Sequence, residues 1–381
     1  MDLLPLSSTE VTVDSNELLK AAPIDPSRCP PHPDTIMAVE VPLDVQIIVI
    51  EWVFRSSQHA SIDYTTLRAC ALVCRAWTPT AQRLLFRRIF CLTLKEKGHC
   101  RMQLLFDVLS TRLHLAAHVR SIQVYCPPEA DDVCVRLLEL CPQVEGISSP
   151  YYISDINAFR AGFDARPHAI QPKLVLLDVA GTDNSITGVV QMFPSARVLI
   201  LRAAGYSDYL LPPTLEALEI HAGSARRCLP LSMPLPALRY LCLVRPKWSD
   251  NALCEHLIST SILPQIQSLQ IRGQFPPQGI LEQLIQLKTL VVETLPEQNV
   301  KLPRLLRHVG YHTVEASPDV RAELAVNPLR MLLELQLVTV TRSVEQHVRA
   351  ALEGMCHDKD IDFASYETPY FFQEPRNIDW I

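Results

Sequence analysis

The sequence predicts an α/β repeat protein: a small helical unit near the N-terminus, then a long stack of short parallel strands. Three observations carry this. A phrase of one proline and three spaced apolar residues recurs along most of the chain. Glycine is scarce and proline abundant, 11 and 30 in 381 residues, against averages of about 7% and 5%. An apolar, arginine-studded stretch, LRACALVCRAWTPTAQRLLFRRI over 67–89, stands just ahead of the recurring region.

Length allows two or three domains, or one long repeat region with an appendage. Hydrophobic residues make up 48% of the chain, enough for a large core. A net charge of −6 disfavours a nucleic-acid partner, because phosphate binding draws on a basic surface. The 12 cysteines are scattered, mostly inside apolar runs such as Tyr240-Leu241-Cys242-Leu243, as small buried residues of a reducing compartment would be. The opening Met1-Asp2-Leu3-Leu4-Pro5 has no basic leader character. The most apolar run, 45–54, contains Gln46 and Glu51 and is too short to span a bilayer. These features predict a soluble protein of the cytoplasm or nucleus with no membrane partner.

Residues 1–37 are proline-rich, and the first 40 carry seven acids and two bases, the composition of a disordered arm. Pro42 and Asp44 suit the first turn of a helix whose apolar stripe is Val45, Ile48, Val49, Trp52 and Val53. A second helix begins near Thr65 or Thr66 and ends near Trp77, since Thr78-Pro79 stops one helix and starts another. A third carries Ala81, Leu84, Leu85 and Phe86.

Beyond residue 88 comes the recurring phrase: Pro236-x-Leu238-x-x-Leu241-x-Leu243, Pro264-x-Ile266-x-x-Leu269-x-Ile271, and matching sets led by Pro213, Pro172, Pro194 and, weakly, Pro142. Ile89/Leu92/Leu94, Val119/Ile122/Val124, Leu287/Leu290/Val292 and Leu332/Leu335/Leu337 keep the spacing without the proline. Successive first positions lie 19 to 30 residues apart, except for a last step of 45 that has room for a missed unit near Leu305. That period is the leucine-rich-repeat range of about 20–29 residues, in which short strands stack in parallel over one continuous core. The Asn or Cys that follows the strand in well-formed repeats is absent, Gly223, Pro246 and Gln274 standing there instead, so the repeats are degenerate. Asn251–Leu257 and Gly279–Leu287 have the spacing of return helices.

Cys70 and Cys74 lie one helical turn apart, but no second ligand pair accompanies them, and buried thiols are the simpler reading. Between Leu67 and Trp77 only Arg68 and Arg75 are polar, so this helix must be covered on all sides, which three short helices cannot do alone. Val41-Pro42-Leu43-Asp44-Val45, then LRACALVCRAW, then Leu85-Phe86-Arg87-Arg88-Ile89 resemble an F-box, in wording similar to F-box-like proteins of mushroom-forming fungi. The resemblance implies docking on the Skp adaptor of a Skp–cullin–F-box ubiquitin ligase, and through it on a cullin. Pro42, Leu43, Val45, Val49, Leu72, Val73, Cys74 and Trp77 would be adaptor contacts, part of this set serving as the unit's own core. Arg68, Arg75, Arg83, Arg87 and Arg88 would rim that surface. The repeats would hold an unknown protein substrate.

Candidate chemistry is sparse. No nucleophile elbow, phosphate loop or His-Glu-x-x-His occurs, and Gly181–Gly188 lacks the phosphate-loop spacing. His114/His118 and His308/His312 are each spaced to share a helix face but have no evident third ligand, so neither a metal nor a cofactor is expected. Side chains between core positions would face the concave surface: Asp178, Arg202, Glu219, His221, Tyr240, Gln270, Arg272 and Glu293. They are candidate substrate contacts on an otherwise solvated sheet face. The segments are then an arm (1–37), an F-box unit (38–90), a repeat region (91–343), and a last helix over 344–353 with an aromatic, proline-containing capping tail (to 381). The organisation is that of a non-enzymatic substrate receptor; a scaffold without a ligase and an open-sheet α/β enzyme are the alternatives.

Overall fold

The structure is a computed structural model that describes residues 42–56, 64–73, 75–92, 96–125, 131–152, 176–181, 190–203, 211–221, 235–246, 248, 255, 257–259, 261–296, 300–311, 322–341 and 344–366. The arm over 1–37, the tail beyond 366 and His312 lie outside these residues.

Helices α1 (Leu43–Ser56), α2 (Tyr64–Val73) and α3 (Thr78–Arg87) come first. Asp44 sits in the first turn of α1, where a carboxylate meets the positive end of the helix. The second helix ends at Val73, not near Trp77, and residues 75–77 form a turn. Pro79 accounts for this. Continued as one helix, its ring would collide with the carbonyl of Arg75 and leave that carbonyl unbonded. The Thr78 hydroxyl instead donates to the Ala71 carbonyl at 2.9 Å, tying the start of α3 to the end of α2.

Strand β1 (Arg88–Leu92) follows α3 directly. After it run α4 (Glu96–Thr111), α5 (Leu113–Ala116), β2 (Ser121–Tyr125), α6 (Asp131–Leu140) and β3 (Gly146–Tyr152). Then come β4 (Leu176–Gly181), β5 (Val198–Ala203), β6 (Ala217–His221), β7 (Tyr240–Val244) and β8 (Ser268–Arg272). The chain closes with α7 (Gln278–Gln283), β9 (Thr289–Val292), β10 (His308–Tyr311), α8 (Ala322–Arg330), β11 (Leu337–Thr341), α9 (Gln346–Lys359) and β12 (Asp362–Tyr366). The twelve strands among the described residues form one open parallel sheet in sequence order. The architecture is α/β, with helices on one face.

The register explains the recurring phrase. Its middle apolar residue forms a single row across the sheet: Ile89, Ile122, Ile147, Leu177, Leu199, Leu218, Leu241, Leu269, Leu290, Val309, Val338 and Phe363 are successive cross-strand partners. All but Phe363 are buried. The first apolar residue of each phrase ends a turn. Val144, Ala196, Leu215, Leu238 and Ile266 each donate from the backbone to the carbonyl three residues back, at Cys141, Phe193, Pro212, Leu235 and Leu263. Pro142, Pro194, Pro213, Pro236 and Pro264 occupy the second place of these turns, where a fixed φ suits the geometry. From the helical face Leu109, Leu137, Leu138, Ile280, Leu281, Leu329, Val348 and Leu352 close over the row in one core.

Three assignments shift. Ile89 pairs with Ile122, so it holds the middle position, not the first, and Phe86 of α3 packs where the first position would lie. The missed unit is centred on Leu306, Val309 and Tyr311, all buried. The last phrase is Leu335/Val338/Val340 and not Leu332/Leu335/Leu337, because both sets satisfy one spacing and only the sheet register distinguishes them. The final helix is also longer than expected, and β12 adds one more strand past it. Only the helical start of the predicted return helix over 279–287 forms, as α7.

Replacing Leu241, fully buried in the middle row, by alanine is expected to cost about 2–5 kcal/mol by opening a cavity, read from the urea midpoint. Gly273 sits at φ +134°, and a Cβ there would stand 3.2 Å from the Arg245 Cα. Gly273→Ala is therefore expected to destabilise by about 1–3 kcal/mol; an unchanged midpoint would show that the β8 exit is not strained.

Candidate functional site

Two groups of candidate residues can be placed. The first lies on the three-helix unit, whose small core is Ile50, Leu67 and Leu84, with Cys70, Trp77 and Leu85 packed against it. Trp77 is half-buried and its indole N–H donates to the Gln46 side-chain oxygen. Arg83 of α3 pairs with Glu51 of α1 at 2.6 Å.

Where it is described, the apolar stripe of α1 lies at the surface. Val45, Ile48 and Val49 are exposed, Ile48 at 63%, and Ile50 is the α1 residue that enters the core. Leu72 and Val73 at the end of α2 are exposed as well, Leu72 at 87%. Three short helices form one interior and cannot bury a second face. Of the predicted contacts, Pro42, Leu43, Val45, Val49, Leu72 and Val73 lie at the surface, while Trp77 belongs to the internal core. Cys74 and the Trp52 and Val53 side chains lie outside the described residues. The bond from Trp77 to Gln46 ties the turn after α2 to the first turn of α1. Ile48 was not among the predicted contacts, although it belongs to the same apolar stripe.

The second group lies on the sheet face opposite the helices. Glu219 on β6 is 5% exposed and lies 2.6 Å from the His221 Nε2 and 3.6 Å from Arg272 on β8. The Tyr240 hydroxyl donates to the Gln270 side-chain oxygen at 2.6 Å. Burial pushes the Glu219 carboxyl up, but the hydrogen bond from His221 and the charges of Arg272 and Arg202 outweigh it and hold the group below its ordinary value. Burial, with Glu219 nearby, raises the Cys242 thiol well above its usual range, so it stays protonated and unreactive.

This face is not the solvated one expected from sequence. Glu219, Tyr240 and Gln270 are buried, and beside them Val198, Ile200, Ala217, Tyr240 and Cys242 make a second small apolar cluster. Strands of a parallel sheet buried on both faces carry apolar residues at consecutive positions, and YLCLV does so. The polar groups here hold β6, β7 and β8 together. Arg202, His221, Arg272 and Glu293 keep partial exposure, and the Asp178 side chain lies outside the described residues.

His308 opens β10 and does not lie on a helix, and its expected companion His312 is outside the described residues. His114 is exposed, whereas His308 is bonded to the Thr339 hydroxyl at 2.9 Å. Among the described residues no group of three His, Cys, Asp or Glu side chains could hold a metal ion, and no helix is long and apolar enough to cross a membrane. No family model matches the chain and no curated protein is significantly similar to it.

Burial lowers His308 from 6.5 to about 4. A histidine depressed in the folded state contributes stability that is present above its unfolded value and is lost as pH falls towards the folded one. The urea midpoint is therefore expected to decline between pH 6.5 and 4, with acid titration of Glu219 adding to the decline at the low end. In His308→Gln the decline should be shallower over that window; an identical profile would contradict a buried neutral imidazole.

Proposed function

We propose that the chain is the substrate-recognition subunit of a Skp–cullin–F-box ubiquitin ligase. Its three-helix unit would be an F-box that docks on the Skp-type adaptor, and its sheet a degenerate leucine-rich-repeat solenoid that positions a protein substrate. The observation that carries this reading is the number of exposed apolar residues on the helical unit. Leu43, Val45, Ile48, Val49, Leu72 and Val73 are exposed on two short helices, a concentration that marks a protein-binding surface on a soluble fold. It lies within the segment whose wording resembles an F-box, LRACALVCRAW and the Pro42–Asp44 helix start.

The strand order supports the second half. Each strand pairs only with its sequence neighbours, in parallel, as expected of a stack that adds one strand per unit. The order of the described strands never reverses. An open-sheet α/β enzyme binds its ligand where that order does reverse, so the topology favours a receptor over the enzyme alternative.

The test is co-purification of the full chain with a Skp-type adaptor. Val49→Asp and Leu72→Asp, both at surface positions, are expected to weaken binding at least tenfold while leaving the thermal transition in place, as loss of an interface anchor of about 2 kcal/mol does. Trp77→Ala is expected to lower stability first, because the ring packs on the internal core. Adaptor binding unaffected by either aspartate substitution would overturn the reading.

A further inference from the structure

The start of α1 inverts the usual sorting of side chains. Val45, Ile48 and Val49 are exposed, whereas the polar residue in the run Val45–Ile50, Gln46, is half-buried. An apolar residue at position 46 would remove more apolar surface from water. Glutamine supplies an acceptor instead. Its side-chain oxygen takes the indole N–H of Trp77, a ring that packs on Ile50, Leu67 and Leu84.

This bond is half of a link between the exposed apolar residues of α1 and those of α2. The residue after Trp77 is Thr78, whose hydroxyl donates to the Ala71 carbonyl at 2.9 Å. Ala71 precedes Leu72 and Val73, both exposed. The link therefore runs from Gln46, beside Val45, through Trp77 and Thr78 to the residue before Leu72. The buried core that the helices share is small, Ile50, Leu67 and Leu84 among the described residues, and apolar contact has no direction. Hydrogen bonds have one. The Arg83–Glu51 pair also reaches α1, but both side chains are partly exposed, and such pairs contribute little.

We infer that Gln46 is a positioning residue for adaptor docking: through Trp77 and Thr78 it sets the exposed stripe of α1 relative to the end of α2. The inference rests on the adaptor reading above. A partner that grips both helices binds more tightly when they are already held as it needs them, because ordering them on contact costs affinity. Gln46 acts through the residues that touch the adaptor and need not touch it.

The test measures adaptor affinity of the full chain, well below its thermal transition, in Gln46→Met, Gln46→Glu, Trp77→Phe and the double variant Gln46→Met/Trp77→Phe. Gln46→Met removes the acceptor and is expected to weaken binding about three- to tenfold, with the thermal transition unchanged or raised. Gln46→Glu keeps an acceptor and should stay within about twofold of the unaltered chain. Trp77→Phe should lose as much as Gln46→Met, and the double variant no more than either alone, as a single shared bond requires. The Trp77 indole N–H resonance, identified by its loss in Trp77→Phe, should move in Gln46→Met and hold its place in Gln46→Glu. Should Trp77→Phe lower the transition, the two Gln46 variants carry the test alone. Equal binding by the unaltered chain and Gln46→Met, no rescue by Gln46→Glu, or an unmoved indole resonance would overturn the inference and leave the ligase reading standing. An unaltered chain that ignores the adaptor overturns that reading, and this inference with it.

Discussion

One row of apolar side chains organises the molecule. From Ile89 to Val338 a branched aliphatic residue stands at the same height on each successive strand, buried under the helices. A slip of one residue in any strand would turn that residue to the opposite face. The row therefore fixes the pairing of every strand, and the pairing fixes everything that hangs from it: the turns at one edge, the polar network on the far face and the helices that close the core. The proline turns reinforce the register from outside. Their fixed φ presets the approach of each strand, and each turn is closed by one backbone bond three residues long.

The two faces of the sheet then take different roles from those a simple alternation suggests. On the helical face the described middle row is buried from Ile89 to Val338. The opposite face, between β5 and β8, is buried too, with a carboxylate held between a histidine and an arginine. Ion pairs removed from water in this way contribute little net stability, and removing one partner leaves a costly buried charge. Exposed large apolar residues lie elsewhere, among them Ile48 and Leu72 of the helical unit and Ile285, Met331 and Leu333 before β9 and β11.

Much of this was legible in the sequence. The proline-led spacing located six of the strands, β3 to β8, because the period-two alternation inside each phrase and the steric rule for proline both act locally. Where the proline was missing, the spacing alone admitted two registers, and Ile89 and Leu332 were each placed three residues away from the true position. β12 was illegible for the same reason: Asp360, Phe363 and Ser365 stand where other strands carry an apolar triplet. In the helical unit, sequence identified the apolar residues but not which way they face. Val45, Ile48 and Val49 form as good a stripe as any core, and only the packing of Ile50 against Leu67 and Leu84 decides that they are the surface. The burial of Glu219 and Gln270 was hidden, since a polar residue between two apolar ones reads as solvated unless its cross-strand neighbours are known.

Hydrogen–deuterium exchange of the full chain, with and without a purified Skp-type adaptor, examines the central claim directly. Adaptor binding is expected to bring new protection over Leu43–Val49 and the last turn of α2, and none in β5–β8. Protection confined to the sheet, or no change in the helical unit at saturating adaptor, would contradict it.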